Sequence, residues 1–373
     1  MLFSTAYIIF LLLAFFSFCL IFYYLFFFAR LAFYKTPTSE VAPPPAPYSI
    51  IVCARNEQYN LEKNIPHLLQ QQYTNEYEVL VVNDNSEDNT KHVMQWLSRY
   101  YSRLRVINLE RQHKESVGKK YPLSIGIREA RNEHLLLTDA DCVPASPLWA
   151  AHMQSAYYKS EIEIVLGYGA YEKHPGLLNK IIRWETFHSA LQYLSYALAG
   201  VPYMGVGRNL SYKKTLFNKH KGFASINYIP GGDDDLFISK AATRRNTAIM
   251  IEPQAHTISV PKKKWKEWRH QKTRHYSTSK YYKFKHKLLL GLYSLSHFLF
   301  YPLLIATALL YNWQVALGIL IVKSAIQYFI FSKAMKKLNE TDLQGWILLM
   351  DVWMFFYYLF FAPTLWKKEK KTW

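Results

Sequence analysis

The sequence predicts a cytoplasmic α/β domain with a mostly parallel sheet, joined to transmembrane α-helices. Half of the 373 residues are hydrophobic, yet the mean hydropathy is only -0.10, so the apolar residues must be concentrated in parts of the chain. They form long apolar blocks at both ends. The polar stretch between these blocks alternates short apolar runs with helical stretches, which is typical of a parallel sheet covered by helices on both faces.

The first apolar block covers residues 6–33 and ends near Arg30 and Lys35. It is longer than the roughly 20 residues that cross the hydrocarbon core of a bilayer. It lacks the basic start, short apolar core and small-residue cleavage site of a signal peptide. We therefore expect residues 1–35 to be a retained transmembrane anchor.

Three further apolar blocks lie at 288–310, 313–332 and 343–366, so that residues 288–373 form a C-terminal membrane region. The second block carries Lys323 and the third carries Asp351. Ionisable side chains are costly in lipid unless they face protein or reach an interface. Either block could therefore be something other than a simple crossing.

The remaining chain divides into three predicted parts. Residues 36–47 form a stiff proline-rich linker, residues 48–260 the α/β domain, and residues 261–287 a basic segment that meets the membrane. The three cysteines show neither a disulfide framework nor a zinc-binding spacing, which fits a reducing compartment.

The excess positive charge indicates the orientation in the membrane. The formal net charge is +18, and much of it lies in the basic segment before residue 288. The positive-inside rule places this segment and the α/β domain in the cytoplasm, with the N-terminus outside, in the cell (inner or plasma) membrane. Four crossings would then leave the basic tail, residues 366–373, outside. Either one block is interfacial or re-entrant, or the rule fails here.

The basic segment also mixes tryptophans and tyrosines with its cations, which suits an interface with membrane lipids. Its position beside a membrane block disfavours nucleic acid as a partner. A few of its residues could instead clamp a diphosphate.

Apolar runs at 49–54, 78–82, 104–109 and 134–138 are the predicted strands. Ligands of such sheets bind beyond the carboxyl ends of the strands. Polar side chains follow those ends here, namely Asn56, Glu57, Asp84, Asp88, Asp139 and Asp141. The sequence therefore predicts a ligand site at this edge.

Three acidic groups have both a chemical and a structural interpretation. Asp139 and Asp141 could share a divalent cation, or could cap a turn and face solvent. Asp84 could bind a base or ribose, or could belong to an ordinary turn. The run of three acids from Asp233 could hold a general base, because neighbouring charges raise a carboxyl pKa, or could be a helix N-terminus.

In this order, these groups resemble the inverting family 2 glycosyltransferases of the GT-A (Rossmann-like) fold. The similar branch is membrane-integrated and includes cellulose, hyaluronan and poly-N-acetylglucosamine synthases and ceramide glucosyltransferase. The resemblance covers roughly residues 48–280, and the flanking apolar blocks fit the same architecture.

The resemblance implies roles for individual residues. The donor nucleotide-sugar would be bound by Ala54, Asn56, Glu57, Asp84, Lys119, Asp139, Gln271 and Arg274. Asp139 and Asp141 would hold Mg²⁺ or Mn²⁺, and Asp233 or Asp234 would be the base. Gly207, Asn209 and His275 would lie on the acceptor side.

The sequence departs from the family pattern at three places. Asn83 and Asn85 stand where Asp and Gly are usual, and the base is ambiguous between Asp233 and Asp234. His275 replaces a tryptophan that usually forms part of the acceptor site, which weakens any inference about acceptor type.

We therefore expect an inverting, metal-dependent glycosyltransferase that uses a nucleotide-diphosphate-sugar and a lipid-linked or glycan acceptor at the cytoplasmic membrane face. It could act as a homo-oligomer or within a synthase complex. The alternative is a non-catalytic nucleotide-binding membrane subunit of a polysaccharide synthase complex. Residues 177–198 are expected to form an amphipathic helix, either in the core or at the interface.

Overall fold

A computed structural model describes residues 4–37, 45–110 and 118–366 of the protein. Most of the predicted linker, residues 38–44, and the basic tail from residue 367 onward lie outside the described residues. The strands are β1 Tyr48–Ala54, β2 Tyr77–Asp84, β3 Leu104–Leu109, β4 His134–Asp139, β5 Cys142–Pro144, β6 Ile164–Leu166, β7 Gly169–Tyr171, β8 Leu210–Lys213, β9 Thr247–Ile249 and β10 Thr257–Ser259.

The helices begin with α1 Thr5–Phe22, which continues through a π-helical turn into α2 Ala29–Ala32. They continue with α3 Gln58–Leu69, α4 Thr90–Tyr100, α5 Lys120–Glu129, α6 Trp149–Ser155, α7 Leu177–Leu198, α8 Lys214–Lys219, α9 Asp235–Ala241, α10 Trp265–Thr278, α11 Phe284–Leu310, α12 Trp313–Lys337 and α13 Ile347–Phe361.

Seven strands form the main sheet in the order β3-β2-β1-β4-β8-β6-β9. The first four are the predicted apolar runs. They pair in parallel, and β1 is buried along its whole length because helices cover both faces. β8 runs antiparallel to both β4 and β6. The predicted α/β fold with a mostly parallel sheet is confirmed.

The strand register brings the predicted ligand edge together. Cys53, near the end of β1, is paired with Val82 on one side and Asp139 on the other. Asp84, at the end of β2, and Asp139, at the end of β4, therefore lie on either side of β1 at the same edge of the sheet. A small second sheet, in the order β5-β10-β7, follows directly from Asp141 and extends this edge.

α7 is the predicted helix at 177–198, but it is not simply amphipathic. Its polar residues Arg183, Glu185 and His188 are buried together with its apolar ones. Arg183 forms ion pairs with Glu340 and Asp342, which lie between α12 and α13. α7 thus lies between the sheet of the α/β domain and the apolar helices and joins the two.

Four segments are long and apolar enough to span a bilayer: Thr5–Ala32, Phe284–Leu310, Trp313–Lys337 and Thr341–Thr364. The two ionisable residues that made the last two segments doubtful are paired with each other. Lys323 forms a buried ion pair with Asp351, and the Nε2 atoms of His297 and Gln327 lie 2.8 and 2.7 Å from the Asp351 carboxylate. Pairing of this kind lowers the cost of ionisable groups inside a membrane.

α13 differs from the other apolar helices because both of its ends contact the α/β domain. Before its start, Glu340 accepts a hydrogen bond from Tyr168 at 3.0 Å. Near its end, Tyr357 donates to Glu185 at 3.3 Å, and the Phe361 ring lies 5.7 Å from that of Trp268. A helix perpendicular to the membrane would carry its second end away from the domain.

Candidate functional site

The acids from separate parts of the sequence meet around Cys53. Burial raises the pKa of the Cys53 thiol to about 12; Lys119 opposes this shift, while Asp233, Asp139 and Asp84 add to it. These charges come from four different segments, and each acts on the same buried thiol. The carboxyl edge of the sheet is therefore a compact site of mixed charge.

The loops after β1 and β2 are held together by hydrogen bonds. The backbone N–H of Asn56 donates to Ser86 Oγ at 2.9 Å, and the N–H of Glu87 donates to Asn56 Oδ1 at 2.8 Å. Asn56 and Asn85 have φ angles of 56° and 52°, in the left-handed region. Asparagine tolerates this region better than most residues, which explains how Asn85 stands where the family usually has glycine.

Of the other predicted donor-site residues at this edge, Ala54 ends β1 and is buried, and Asp84 ends β2 and is 2% exposed. Glu57 is the last residue before α3, and burial raises its carboxyl pKa. The structure thus brings the predicted donor-site residues of the first two strands to one place.

Lys119 forms an ion pair with Asp139 across the site. Burial would raise the pKa of Asp139, but the charge and hydrogen bond of Lys119 outweigh burial and lower it. Burial followed by the charge of Asp139 raises the pKa of Asp141. The two carboxyls thus differ in their affinity for a proton.

Asp139, Asp141 and Cys142 place their ligand atoms within 4.8 Å of one another. Burial raises the pKa of the Cys142 thiol, and this thiol also lies 2.9 Å from Ser259 Oγ, so it stays protonated. The two carboxylates are therefore the usable ligands. Carboxylate oxygens suit hard ions such as Mg²⁺ and Mn²⁺, and this donor set fits them.

The acidic segment consists of Asp233, Asp234 and Asp235. The carboxyls of Asp234 and Asp235 are held by hydrogen bonds, and that of Asp233 is available. Asp234 accepts the N–H groups of Gly207 and Asp235 at 2.7 and 2.8 Å and caps α9. Burial, followed by the charges of Asp233 and Asp235, raises the pKa of Asp234 to about 8. Among the described residues, none donates a hydrogen bond to the Asp233 carboxylate.

Asp235 is the second held carboxyl and connects the segment to the membrane-proximal helix. It accepts hydrogen bonds from Thr278 at 2.5 Å and Tyr282 at 2.8 Å, both at the end of α10 or just beyond it. Lys120 holds the preceding backbone through the carbonyls of Ile229 and Gly231. The acidic segment is therefore fixed from α5 and from α10.

α10 carries the predicted Gln271 and Arg274. Gln271 Nε2 donates to the Tyr171 hydroxyl at 3.4 Å, and Arg274 is among the charges that lower the pKa of Asp139. The neighbouring Lys272 forms a buried ion pair with Glu185 of α7. The side chain of His275 lies outside the described part of the structure.

The predicted acceptor-side residues fall into two roles. Gly207 lies beside the acidic segment and holds Asp234 through its N–H. The amide of Asn209 is fully buried, accepts from Trp149 and donates to the carbonyls of Tyr168 and Ala255. These bonds occupy the Asn209 side chain, so it supports the loop that carries Gly207.

Sequence reasoning gave no role to Lys120. It named Asp235 only within the run of three acids and Arg208 only within the stretch from Gly205 to Asn209. The roles of Lys120 and Asp235 depend on contacts with residues far along the chain, which motif spacing does not show. Arg208 lies between the predicted residues Gly207 and Asn209. An arginine within this glycine-containing run was the one sequence signal that could have indicated a role for it.

The parallel sheet has acids at its carboxyl edge and an acidic segment opposite, and it is joined to apolar helices long enough to span a membrane. These features define a GT-A-like domain of a membrane protein. Residues 49–218 match the family described as Glycosyl transferase family 2. The chain therefore carries a glycosyl transferase family 2 domain.

Similar proteins agree with this assignment. Beta-monoglucosyldiacylglycerol synthase of Trichormus variabilis is 34% identical over 101 residues, which are 27% of this chain and 21% of that protein. Dolichyl-phosphate beta-glucosyltransferase ALG5D of Trichomonas vaginalis is 33% identical over 115 residues, or 29% and 34% of the two chains. The matches thus span only a fifth to a third of these relatives.

A solved structure supports the fold over nearly the whole length. The mannosyltransferase PcManGT from Pyrobaculum calidifontis, in complex with GDP-Man and Mn²⁺, superposes with a TM-score of 0.59. The alignment covers 98% of this chain and 99% of that chain at 18% identity. At this identity the likeness establishes the fold alone.

Proposed function

We propose that the protein transfers a sugar from a nucleotide-diphosphate-sugar to a lipid-linked or glycan acceptor, with inversion, at the cytoplasmic face of the membrane. The observation that carries this proposal is the meeting of Lys119, Asp139 and Asp233 around Cys53. The names of the two relatives, which refer to glycolipid and dolichyl-phosphate glycosylation, favour a lipid acceptor. Domain limits at 48–260 and 261–287 are part of the same proposal.

In the proposed reaction, the nucleoside lies beside Asp84, against the two hydrogen-bonded loops that follow β1 and β2. Asp139 and Asp141 would hold Mg²⁺ or Mn²⁺, which when bound neutralises charge on the leaving diphosphate. Arg274 adds a guanidinium on the membrane side of that diphosphate. The acceptor hydroxyl approaches from the side of the acidic segment.

Asp233 is the proposed general base. Its carboxylate accepts no hydrogen bond from the described residues, whereas Asp234 and Asp235 are each held by two donors from other residues or their own helix. A base must reach the proton that it removes, and a carboxylate already satisfied by its surroundings is a poorer acceptor. One displacement by the activated hydroxyl inverts the anomeric carbon.

The membrane topology proposed here has three crossings. The segments Thr5–Ala32, Phe284–Leu310 and Trp313–Lys337 cross, and α13 lies against the cytoplasmic side of the bundle. Its two ends both contact the domain, through Glu340 and Phe361. This arrangement keeps the basic tail on the cytoplasmic side, in agreement with the positive-inside rule. A homo-oligomer or synthase complex stays a prediction.

The purified full-length protein, supplied with labelled nucleotide-diphosphate-sugars and extracted membrane lipid, tests this function. We expect label to enter a lipid or glycan product and EDTA to stop the transfer. Binding of a donor without any turnover, in the presence of Mg²⁺ or Mn²⁺, would instead support the non-catalytic subunit.

A further inference from the structure

Arg208 is a half-buried arginine whose side chain is fixed near Asp139 and Asp141. Its guanidinium carbon lies 4.3 Å from the centre of the Tyr171 ring, and Nη1 lies 3.3 Å from the Ala170 carbonyl and 3.4 Å from Ser259 Oγ. The guanidinium group of arginine is not deprotonated in proteins. The side chain therefore stays charged inside the site.

The backbone of Arg208 is fixed as firmly as its side chain. Its carbonyl accepts hydrogen bonds from the hydroxyls of Thr138 and Thr257, at 3.0 and 2.9 Å. A methyl group on Gly169 would lie 3.2 Å from Cβ and 3.3 Å from Nε of Arg208, so glycine leaves the room that the arginine occupies. A preorganised charge of this kind binds an anion without first being ordered.

Tyr171 connects Arg208 to the membrane-proximal helix. Its ring supports the Arg208 guanidinium, and its hydroxyl accepts the amide of Gln271. Arg208 lies at the end of β4, because its Nη1 is 3.4 Å from Ser259 Oγ, and this oxygen is 2.9 Å from the Sγ of Cys142, the residue after Asp141. Among the described residues, Lys119 forms an ion pair with Asp139, whereas no carboxylate lies within ion-pair distance of the Arg208 guanidinium. An anionic ligand suits this guanidinium.

We propose that Arg208 binds a phosphate oxygen of the donor diphosphate and so sets donor affinity independently of the metal. This inference rests on the proposed function. A charge-assisted hydrogen bond to phosphate is directional for arginine and is weaker for lysine, which acts as a point charge. Arg208 would thus be a donor-binding residue contributed by the loop between α7 and β8.

Calorimetric binding of UDP and GDP to the full-length protein in detergent tests the proposal, in EDTA and again in Mn²⁺. We expect Arg208→Gln to weaken binding of the nucleotide that the natural protein prefers by about tenfold or more in both conditions. Arg208→Lys should restore part of the loss. Gly169→Ala keeps every charge but displaces the guanidinium, so it should weaken binding by a smaller factor.

The matched control is Arg128→Gln, on the exposed end of α5, which should bind nucleotide like the natural protein. Equal binding by Arg208→Gln and the natural protein in EDTA overturns the proposal and leaves the proposed function intact. A loss confined to Mn²⁺ also overturns it, because Arg208 would then only support the metal carboxylates. Failure of the natural protein to bind any nucleoside diphosphate would contradict the proposed function itself. Thermal melting of each variant checks folding.

Discussion

At the residue scale, the adjacent Asp233 and Asp234 have different environments. Asp234 is held by the N–H groups of Gly207 and Asp235, whereas no described residue donates a hydrogen bond to Asp233. Adjacent acids that are shielded from solvent cannot all ionise easily. Here the carboxyl that is harder to ionise is that of Asp234, whose pKa is raised to about 8. The two neighbouring carboxyls therefore differ in their hydrogen-bond partners among the described residues, which is the basis for proposing Asp233 as the base.

This shift has a consequence for stability. The ordinary pKa of aspartate in the unfolded chain is 3.8, so between there and about pH 8 the folded state binds the extra proton. Stability from Asp234 is therefore complete below pH 3.8 and is lost as the pH rises through 8. In EDTA, the melting temperature of the natural protein relative to Asp234→Asn should fall from pH 5 to 8 and then level off. A difference that stays constant would contradict the raised pKa.

Glu87→Gln is the control for that series, because Glu87 is exposed and should give no such trend. The sequence identified the acids of this site because their motif positions are local. It could not separate Asp233 from Asp234, since the donor that distinguishes them is Gly207, 27 residues from Asp234. Lys120 likewise reaches a carbonyl 109 residues away.

At the element scale, α10 is held between α7 and α13. Lys272 pairs with Glu185 where both side chains are nearly buried, and the Tyr276 ring stacks on Phe361. Through Thr278 and Tyr282, the end of α10 also holds Asp235. The membrane-proximal helix α10 and the acidic segment are therefore held together by direct hydrogen bonds.

Lys272→Met should destabilise the protein by about 3–5 kcal/mol, because it leaves the Glu185 carboxylate buried without its cation. Lys272→Met combined with Glu185→Met should recover much of this loss. Denaturant unfolding in detergent measures both. Lys91→Met, which breaks the exposed pair with Glu110, is the control and should cost less than about 1 kcal/mol. Equal losses from Lys91→Met and Lys272→Met would show that the buried pair has no special role.

The sequence predicted the elements that have strong local patterns. The four parallel strands are apolar runs between helices, and all four were recognised. β6, β7 and β10 have three residues each and β8 has four, too few for a periodic pattern. Their pairing depends on partners far along the chain, so the part of the main sheet beyond β4 and the whole small sheet were missed.

At the scale of the whole molecule, the sequence could count apolar blocks but could not orient them. α13 is apolar enough to cross, yet its contacts with Glu185 and Trp268 bring its end back to the domain. Its outer face exposes large apolar side chains, namely Leu348, Leu349, Val352, Phe356, Leu359 and Phe360. This face suits lipid at the interface as well as lipid in a span, so composition alone did not decide.

Cysteine labelling in oriented vesicles tests the three-crossing topology. The natural cysteines are all buried and should give little background. A cysteine added after Trp373 should react from the same side as Glu62→Cys in the catalytic domain, and Gln314→Cys, at the start of α12, from the opposite side. Reaction of the added cysteine from the side of Gln314→Cys would mean that α13 crosses the membrane.

The convergence of the separated acids into one reacting site is tested most directly by comparing transfer and donor binding in Asp233→Asn. We expect the rate of sugar transfer to fall by about a thousandfold, within the range for loss of a general base, while nucleotide binding stays unchanged. Transfer at the natural rate by Asp233→Asn, with an intact fold and intact nucleotide binding, would contradict the account.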